Sequence, residues 1–362
     1  MKIAILGTRG VPNFHGGFEQ FAEFFSVFLA SKGYEVYVYN SSLHPYKKKI
    51  YKGVNLIHCK DPENKIGTAG QFIYDLNCIL DSRKRNFDVI LQLGYTSSSI
   101  WYFLLPKKSV IITNMDGLEW KRSKYSKAVQ KFLKFAEKLA IKHSDYLISD
   151  SIGIKEYISK IYRKESKYIA YGAEIFTIPQ VKKLEAFQLS PNQYNLLVAR
   201  MEPENNIEII IKGIIKSKSN NKLIIVGNYK NTDFGKYLYH MYHSYSNIEF
   251  IGAIYDIEIL NNLRYFSELY FHGHSVGGTN PSLLEAMASN CLIIAHNNIF
   301  NKSILEDDAY YFSNSDEVSN IVSLVHKVNN QKKIENNKLK IEKFYKWEII
   351  NNQYLDYIKQ CL

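Results

Sequence analysis

The sequence predicts an α/β protein of two doubly wound parallel-sheet domains facing each other across a cleft. Three observations carry this. Strand-like apolar runs alternate with helix-periodic segments, as in KIAILG, FEQFAEFFSVFLASKG and YEVYVYN, and such alternation makes parallel strands joined by crossover helices. The pattern breaks near 168–190, where KYIAYGAEIFTIPQ runs into a mixed polar stretch ending at SPNQ, and then starts again with YNLLVAR. The length, 362 residues with 46% hydrophobic and 22% charged, suffices for two separate cores.

In the first half DVILQLG, SVIITNMD and DYLISDS follow as strands, separated by helical stretches. In the second, helix NNIEIIIKGIIKSK and strand KLIIVGN precede IEFIGAI, ELYFHGHS, a helix after Asn280 and strand CLIIAH. The domains are drawn at 1–172 and 191–340, with a linker over 173–190. The last stretch, 341–362, is amphipathic, has no strand after it, and is expected to pack back towards the first domain. NNQKKIENNK near 329–338 reads as a polar tract.

Cys59, Cys78, Cys291 and Cys361 are scattered, with no C-x-x-C spacing and no histidines at zinc-finger distances. A disulfide framework and a structural zinc are not expected, and a reducing cytoplasm fits. MKIAILGTRG reads as a first strand rather than a signal peptide, and IWYFLLP is too short to span a bilayer. The net charge of +11 is uneven: residues 1–172 hold 27 Lys+Arg and 15 Asp+Glu, and the remainder 19 and 20. All the excess lies in the first half, which points to an anionic partner there.

Two loops carry candidate chemistry. In HGHSVGGTNPSLLEAMAS (272–289), Asn280 can cap the next helix with Pro281 at its first position. The amides of Gly278, Thr279, Ser282 and Leu283 would then lie near a positive helix end, an anion site suited to phosphate. Glu285, four residues after Pro281 and so on the same side, can accept hydrogen bonds from vicinal hydroxyls such as those of a ribose. Phosphate and ribose together suggest a nucleotide. The plainer reading is a capped helix with a surface Glu. His272 and His274 could share a strand face as metal ligands, but no third ligand stands at a recognisable spacing, so no metal is expected. His274 instead reads as a hydrogen-bond donor to phosphate or sugar.

The other loop is GTRGVPNFHGGFEQ, with Gly7, Gly10, Gly16 and Gly17 before a helix from about Phe18. Its spacing fits neither G-x-G-x-x-G nor the P-loop. It still allows backbone N–H groups to approach an anion or sugar, unless it merely packs. Glu19 would face the cleft from the first turn. Arg200, ending strand YNLLVAR, can bridge two phosphate oxygens if it meets those loops, and is otherwise an ordinary surface residue.

Together the glycine pair Gly16–Gly17, Arg200 and PSLLEAMASNCLIIA resemble the GT-B glycosyltransferases of the large retaining nucleotide-sugar family, family 4. The opening GTRGVPNFHGGFEQFAEF is similar to the bacterial capsule and O-antigen subgroup with a GTRGxPxxxGGxEQ signature, rhamnosyltransferases included. The resemblance covers nearly the whole chain and implies two Rossmann-like domains. Gly16, Gly17, Arg200, His274, Gly277, Gly278, Thr279, Asn280, Ser282, Leu283 and Glu285 would bind a UDP- or dTDP-linked sugar donor. Arg200, Asp116 and Glu285 would carry catalysis, and Glu19, Asp116 and Glu119 would face the acceptor; helix capping is the plainer role for Asp116. Transfer would retain anomeric configuration, need no metal or other cofactor, and use the leaving diphosphate to help deprotonate the acceptor hydroxyl. Two positions depart from the family pattern: Gly277 stands where a Glu is usual and Asn205 where a Lys is usual. Both fit the subgroup, so an active enzyme is still implied.

WKRSKYSKAVQKFLKFAEKLAIKH places Lys124, Lys127, Lys131, Lys134, Lys138 and Lys142 on one helix face. An anionic membrane surface, or the diphosphate of a polyprenol-linked glycan acceptor, would match them, as would plain solvent. Nucleic acid is not expected, since interleaved exposed aromatics and known modules are both missing. The expectation is a cytoplasmic enzyme peripheral on the inner membrane face. It would move a hexosyl or deoxyhexosyl residue, rhamnosyl included, to a lipid-linked oligosaccharide in capsule, O-antigen or exopolysaccharide assembly. A sugar-nucleotide epimerase on the same fold and a catalytically silent subunit are the rivals.

Overall fold

The computed structural model describes residues 1–115, 117–122, 125–217, 219–276 and 278–362. They form two compact units. The first holds Met1–Lys121, Tyr125–Tyr171 and Trp347–Leu362, and the second holds Arg122 and Gly172–Lys346.

The first unit is an eight-stranded sheet of β1 (Lys2–Leu6), β2 (Glu35–Ser41), β3 (Ile50–Tyr51), β4 (Val54–Cys59), β5 (Val89–Leu93), β6 (Val110–Asn114), β7 (Tyr146–Ser149) and β8 (Lys167–Tyr168). The order is β3-β4-β2-β1-β5-β6-β7-β8, with only β3 antiparallel to its neighbour β4. Every residue of VILQL in β5 is buried, as a central strand covered on both faces requires. β3, and β14 below, are not legible in the sequence, because two or three residues leave no readable period.

The second unit has β9 (Tyr194–Val198), β10 (Lys222–Val226), β11 (Ile248–Gly252), β12 (Tyr270–His272), β13 (Ile293–His296) and β14 (Tyr310–Phe312) in the order β11-β10-β9-β12-β13-β14. All these pairings are parallel. Helix Ile207–Lys216 buries Ile207, Ile210, Ile211 and Ile214 against Leu197, Leu223, Ile225, Phe271 and Ile294 of the sheet. That spacing is the apolar stripe of a surface helix.

Two boundaries, those of the last helix and of the linker, differ from the sequence reading. The last helix is Trp347–Gln360 rather than starting at 341, because Lys346 is extended and breaks the helical run. It packs in the first unit: Trp347 stacks on Phe24 at 4.5 Å, and the Tyr354 hydroxyl accepts from Asn114 Nδ2 at 2.8 Å. The polar tract near 329–338 is largely helix Gln331–Lys340, anchored by buried Ile334 and Asn337. The stretch 173–190 belongs to the second unit. There the Ala173 N–H donates to Tyr345 O at 2.8 Å, the Phe176 N–H donates to Ala288 O at 3.0 Å, and Leu184 is buried.

In open parallel sheets, ligands collect beyond the carboxyl ends of the strands where the order reverses. Here those points are β1 with β5 in the first unit and β9 with β12 in the second. The two loops singled out from the sequence leave β1 and β12.

Candidate functional site

In the second unit, the chain leaving β9 turns at once. Arg200 is exposed, and its carbonyl accepts from the Glu202 N–H at 2.8 Å and from Asn205 Nδ2 at 2.7 Å. Asn205 is therefore buried and faces inward, shaping the loop rather than adding a cation beside Arg200. Asn206 donates to Gly273 O at 2.7 Å, while the Ser275 N–H and hydroxyl both donate to Glu204 O, at 3.0 and 2.8 Å. These bonds stitch the β9 loop to the β12 loop. A Cβ on Gly273 would stand 2.0 Å from Asn205 O, so only glycine allows the join. The side chain of Arg122, from the segment after Glu119–Lys121, reaches the same loop, with Nη1 3.4 Å from Glu202 Oε2 and 3.6 Å from Glu204 Oε1.

The His272 and His274 rings stack 4.4 Å apart at 15°. Parallel rings hold their in-plane lone pairs parallel rather than convergent, and among the described residues no three His, Cys, Asp or Glu side chains gather as metal ligands would. Burial pushes His272 well down, and it pushes His274 down to about 3 with help from Arg200 and Arg122. His274 is thus a neutral imidazole at working pH, able to donate one N–H.

Helix Pro281–Ala288 is capped as expected, by Asn280 Oδ1 accepting from the Ser282 N–H at 2.9 Å. The same cap corrects the expectation of free amides. The Ser282 N–H is taken by the Asn280 side chain and the Leu283 N–H by Asn280 O at 3.0 Å. Neither is left to hold an anion, although the positive field of the helix end remains. Gly278 is half-buried and Thr279 buried, and Gly277 lies outside the described residues. Glu285, one turn in, is 17% exposed, and its Oε2 lies 2.6 Å from Nη2 of the buried Arg264. Arg264, from helix Ile257–Tyr265, was missed because no sequence spacing links it to Glu285.

In the first unit, Gly7 has φ +84°, and a Cβ there would stand 2.2 Å from Leu93 O, so the β1 and β5 ends touch through glycine. Gly16 caps the helix Gly17–Ser31. Gly16 is extended, and a Cβ on it would meet nothing closer than 3.7 Å, so packing does not demand glycine there. Glu19 is buried, and its Oε1 accepts from the Arg9 N–H at 2.9 Å. It latches the loop, in contrast to the acceptor-facing role expected. The Arg9 guanidinium forks onto the Glu63 carboxylate. Glu119 starts a short 3₁₀ turn, half-buried, and Asp116 lies outside the described residues.

Sequence reading passed over the β5 loop. Ser97 donates to Asp75 Oδ2 at 2.5 Å, and burial pushes the Asp75 carboxyl up to about 7. Only the fold brings them together, since 22 residues separate them.

The lysine stripe lies on helix Lys127–His143, with Lys127, Lys131, Lys138 and Lys142 exposed. Lys134 is a correction: its Nζ is 2.8 Å from Glu137 Oε1 and sits over Trp120, Tyr157 and Tyr162 at 4.4, 4.6 and 5.3 Å from the ring centroids. Glu137 is almost fully buried and needs this cation, which removes Lys134 from the exposed set. Lys124 lies outside the described residues. Phe135 is 54% exposed beside the lysines. All four cysteines are buried free thiols, and no described helix is long and apolar enough to cross a membrane.

Residues 183–343 match the family model described as "Glycosyl transferases group 1", and residues 1–174 match one described as "Domain of unknown function (DUF1972)". The chain is similar to the solved sucrose-phosphate synthase of Thermosynechococcus elongatus, at 14% identity and TM-score 0.82 over 99% of this chain and 98% of that one. HepE of Anabaena, solved with UDP and glucose, matches at 16% identity and TM-score 0.77 over 99% and 100%. An α,α-trehalose 6-phosphate synthase of Burkholderia multivorans matches at 10% identity and TM-score 0.69 over 99% and 98%. No curated protein sequence matches. The chain carries a glycosyl transferases group 1 domain and has the GT-B pair of parallel-sheet α/β units.

Proposed function

We propose that the protein is a glycosyltransferase that takes a hexosyl or deoxyhexosyl residue from a UDP-linked donor held in the second unit. One observation carries the reading. At the β9/β12 reversal an exposed Arg200, a neutral His274, a capped helix end and the half-sheltered Glu285 carboxylate are built on loops that bond to one another. Phosphate suits the guanidinium and the helix field, and a ribose diol suits the carboxylate. The choice of UDP leans on HepE, which was solved with it.

Chemically, the anomeric carbon–oxygen bond to the diphosphate breaks, and a bond forms from the acceptor oxygen on the same face. The acceptor proton passes to the departing diphosphate. Arg200, the imidazole N–H of His274 and the helix field stabilise the charge that develops, and preorganised donors of this kind typically contribute about 3–4 kcal/mol each. No metal and no protein base is invoked. With Asn205 and Gly277 this site is less charged than the family pattern, so Arg200 would make the main diphosphate contact.

The acceptor we propose is a polyprenyl-diphosphate-linked glycan of capsule, O-antigen or exopolysaccharide assembly. The enzyme would rest on the inner face of the cytoplasmic membrane through Lys127, Lys131, Lys138 and Lys142. The excess positive charge of residues 1–172 and the exposed Phe135 support this.

The test is UDP release from UDP-glucose, UDP-galactose and UDP-rhamnose, with and without lipid-linked oligosaccharide. Release that rises with acceptor and drops about 100-fold or more in Arg200→Ala supports the reading. Interconversion of the free sugar nucleotide without release would favour an epimerase, and inertness toward every donor a silent subunit.

A further inference from the structure

We infer that Arg264 is a positioning residue for donor binding, fixing the Glu285 carboxylate in the orientation that receives the ribose hydroxyls. The inference rests on the ribose reading of Glu285 given above.

Arg264 lies in the last turn of helix Ile257–Tyr265, and its side chain is 1% exposed. Its guanidinium is divided between two helices. Nη1 donates to Asn261 Oδ1 at 3.0 Å on its own helix, while Nη2 lies 2.6 Å from Glu285 Oε2 and 3.3 Å from Ser282 Oγ on helix Pro281–Ala288. Ser282 and Glu285 are three residues apart, so one guanidinium edge spans a full turn of that helix. The Ser282 hydroxyl is in turn 2.7 Å from the Tyr270 hydroxyl of β12. Strand, helix and carboxylate are thereby fixed to one another.

A buried ion pair contributes little net stability compared with apolar packing of the same volume. What a planar guanidinium does supply is direction, since its fork holds a carboxylate in one plane. Glu285 remains partly exposed while Arg264 grips Oε2. A diol offers two O–H donors at fixed separation, and a carboxylate that need not be ordered on binding meets them at lower entropic cost.

The test uses the full-length protein and titrates UDP and 2′,3′-dideoxy-UDP calorimetrically. Wild type should prefer UDP by about tenfold or more, the penalty expected when a site built for hydroxyls loses them. Arg264→Lys keeps the buried charge but lacks the fork. It should cut that preference to about threefold or less and leave the dideoxy affinity within about threefold, whereas a merely structural defect weakens both alike. If Glu285→Gln erases the preference and Arg264→Lys keeps it, the inference is overturned and the ribose reading stands. If wild type shows no preference, or Glu285→Gln retains it, the ribose reading itself fails. Should Arg264→Lys not fold, Arg264→Gln combined with Glu285→Gln removes both buried charges. The double variant should then bind UDP no more weakly than Glu285→Gln alone, and an additional loss would overturn the proposal.

Discussion

Replacing Asp75 with asparagine probes the β5 loop through its charge. Asp75 is 8% exposed, and burial lifts its carboxyl from an ordinary 3.8 to about 7, against the opposing bond from Ser97. A folded-state pKa raised above the unfolded one means that the native state prefers the proton. The associated stability is complete below the unfolded pKa and declines as pH rises, fastest above about 4 in absolute terms relative to the protonated protein and ending near the folded value of about 7. More concretely, the native state resists ionisation across that window, while the unfolded chain ionises freely. At about 1.4 kcal/mol per pH unit within the window, and allowing for its end near 7, Asp75 should remove about 2 kcal/mol of stability between pH 5.5 and 8.5. Asparagine keeps an acceptor for Ser97 and cannot ionise. Urea unfolding midpoints at both pH values, for wild type and Asp75→Asn, measure the effect. The difference between the two proteins cancels His272 and His274, which act with the opposite sign at the acid end. Asp75→Asn should gain about 2 kcal/mol on wild type at pH 8.5 relative to pH 5.5. Parallel pH profiles would refute the argument that burial keeps this carboxyl protonated.

Gly16→Ala should leave the melting temperature within about 1 °C, because a Cβ there meets nothing closer than 3.7 Å. If the β1 loop meets substrate, the same change should raise a substrate KM by about tenfold, which steady-state kinetics would detect. Gly273→Ala should behave in the opposite way, losing about 1–3 kcal/mol in chemical denaturation because its Cβ would press on Asn205 O at 2.0 Å. Changing Lys131, Lys138 and Lys142 together to Ala should weaken binding to vesicles containing phosphatidylglycerol by about 3 kcal/mol in co-sedimentation at low salt. Lys134→Ala should instead cost folding stability, since it strips the buried Glu137 of its cation.

The features that could be read from the sequence were those set by neighbouring residues. Gly7, Gly16 and Gly17 after a buried apolar strand, and Asn280–Pro281 before a helix, are local signals, and they fell at the two points where strand order reverses. An asparagine that caps a helix occupies an amide that an anion would otherwise use, so capping by Asn280 competes with anion binding at Ser282. The Lys134 cage, the Asp75–Ser97 pair and the Arg264–Glu285 pair were hidden for a different reason. Trp120 reaches Lys134 from the turn Glu119–Lys121 and Tyr157 and Tyr162 from helix Ile152–Tyr162, and Arg264 reaches Glu285 across 21 residues. Such partners are set by how the helices pack on the sheet, which no local period encodes.

The measurement that bears most directly on the central claim is a crystal structure of the protein soaked with UDP. The ribose hydroxyls should lie within hydrogen-bond distance of Glu285 and the diphosphate beside Arg200 and His274. UDP bound at the β10–β11 edge or in the first unit, with no ribose hydroxyl within hydrogen-bond distance of the Glu285 carboxylate, would contradict it.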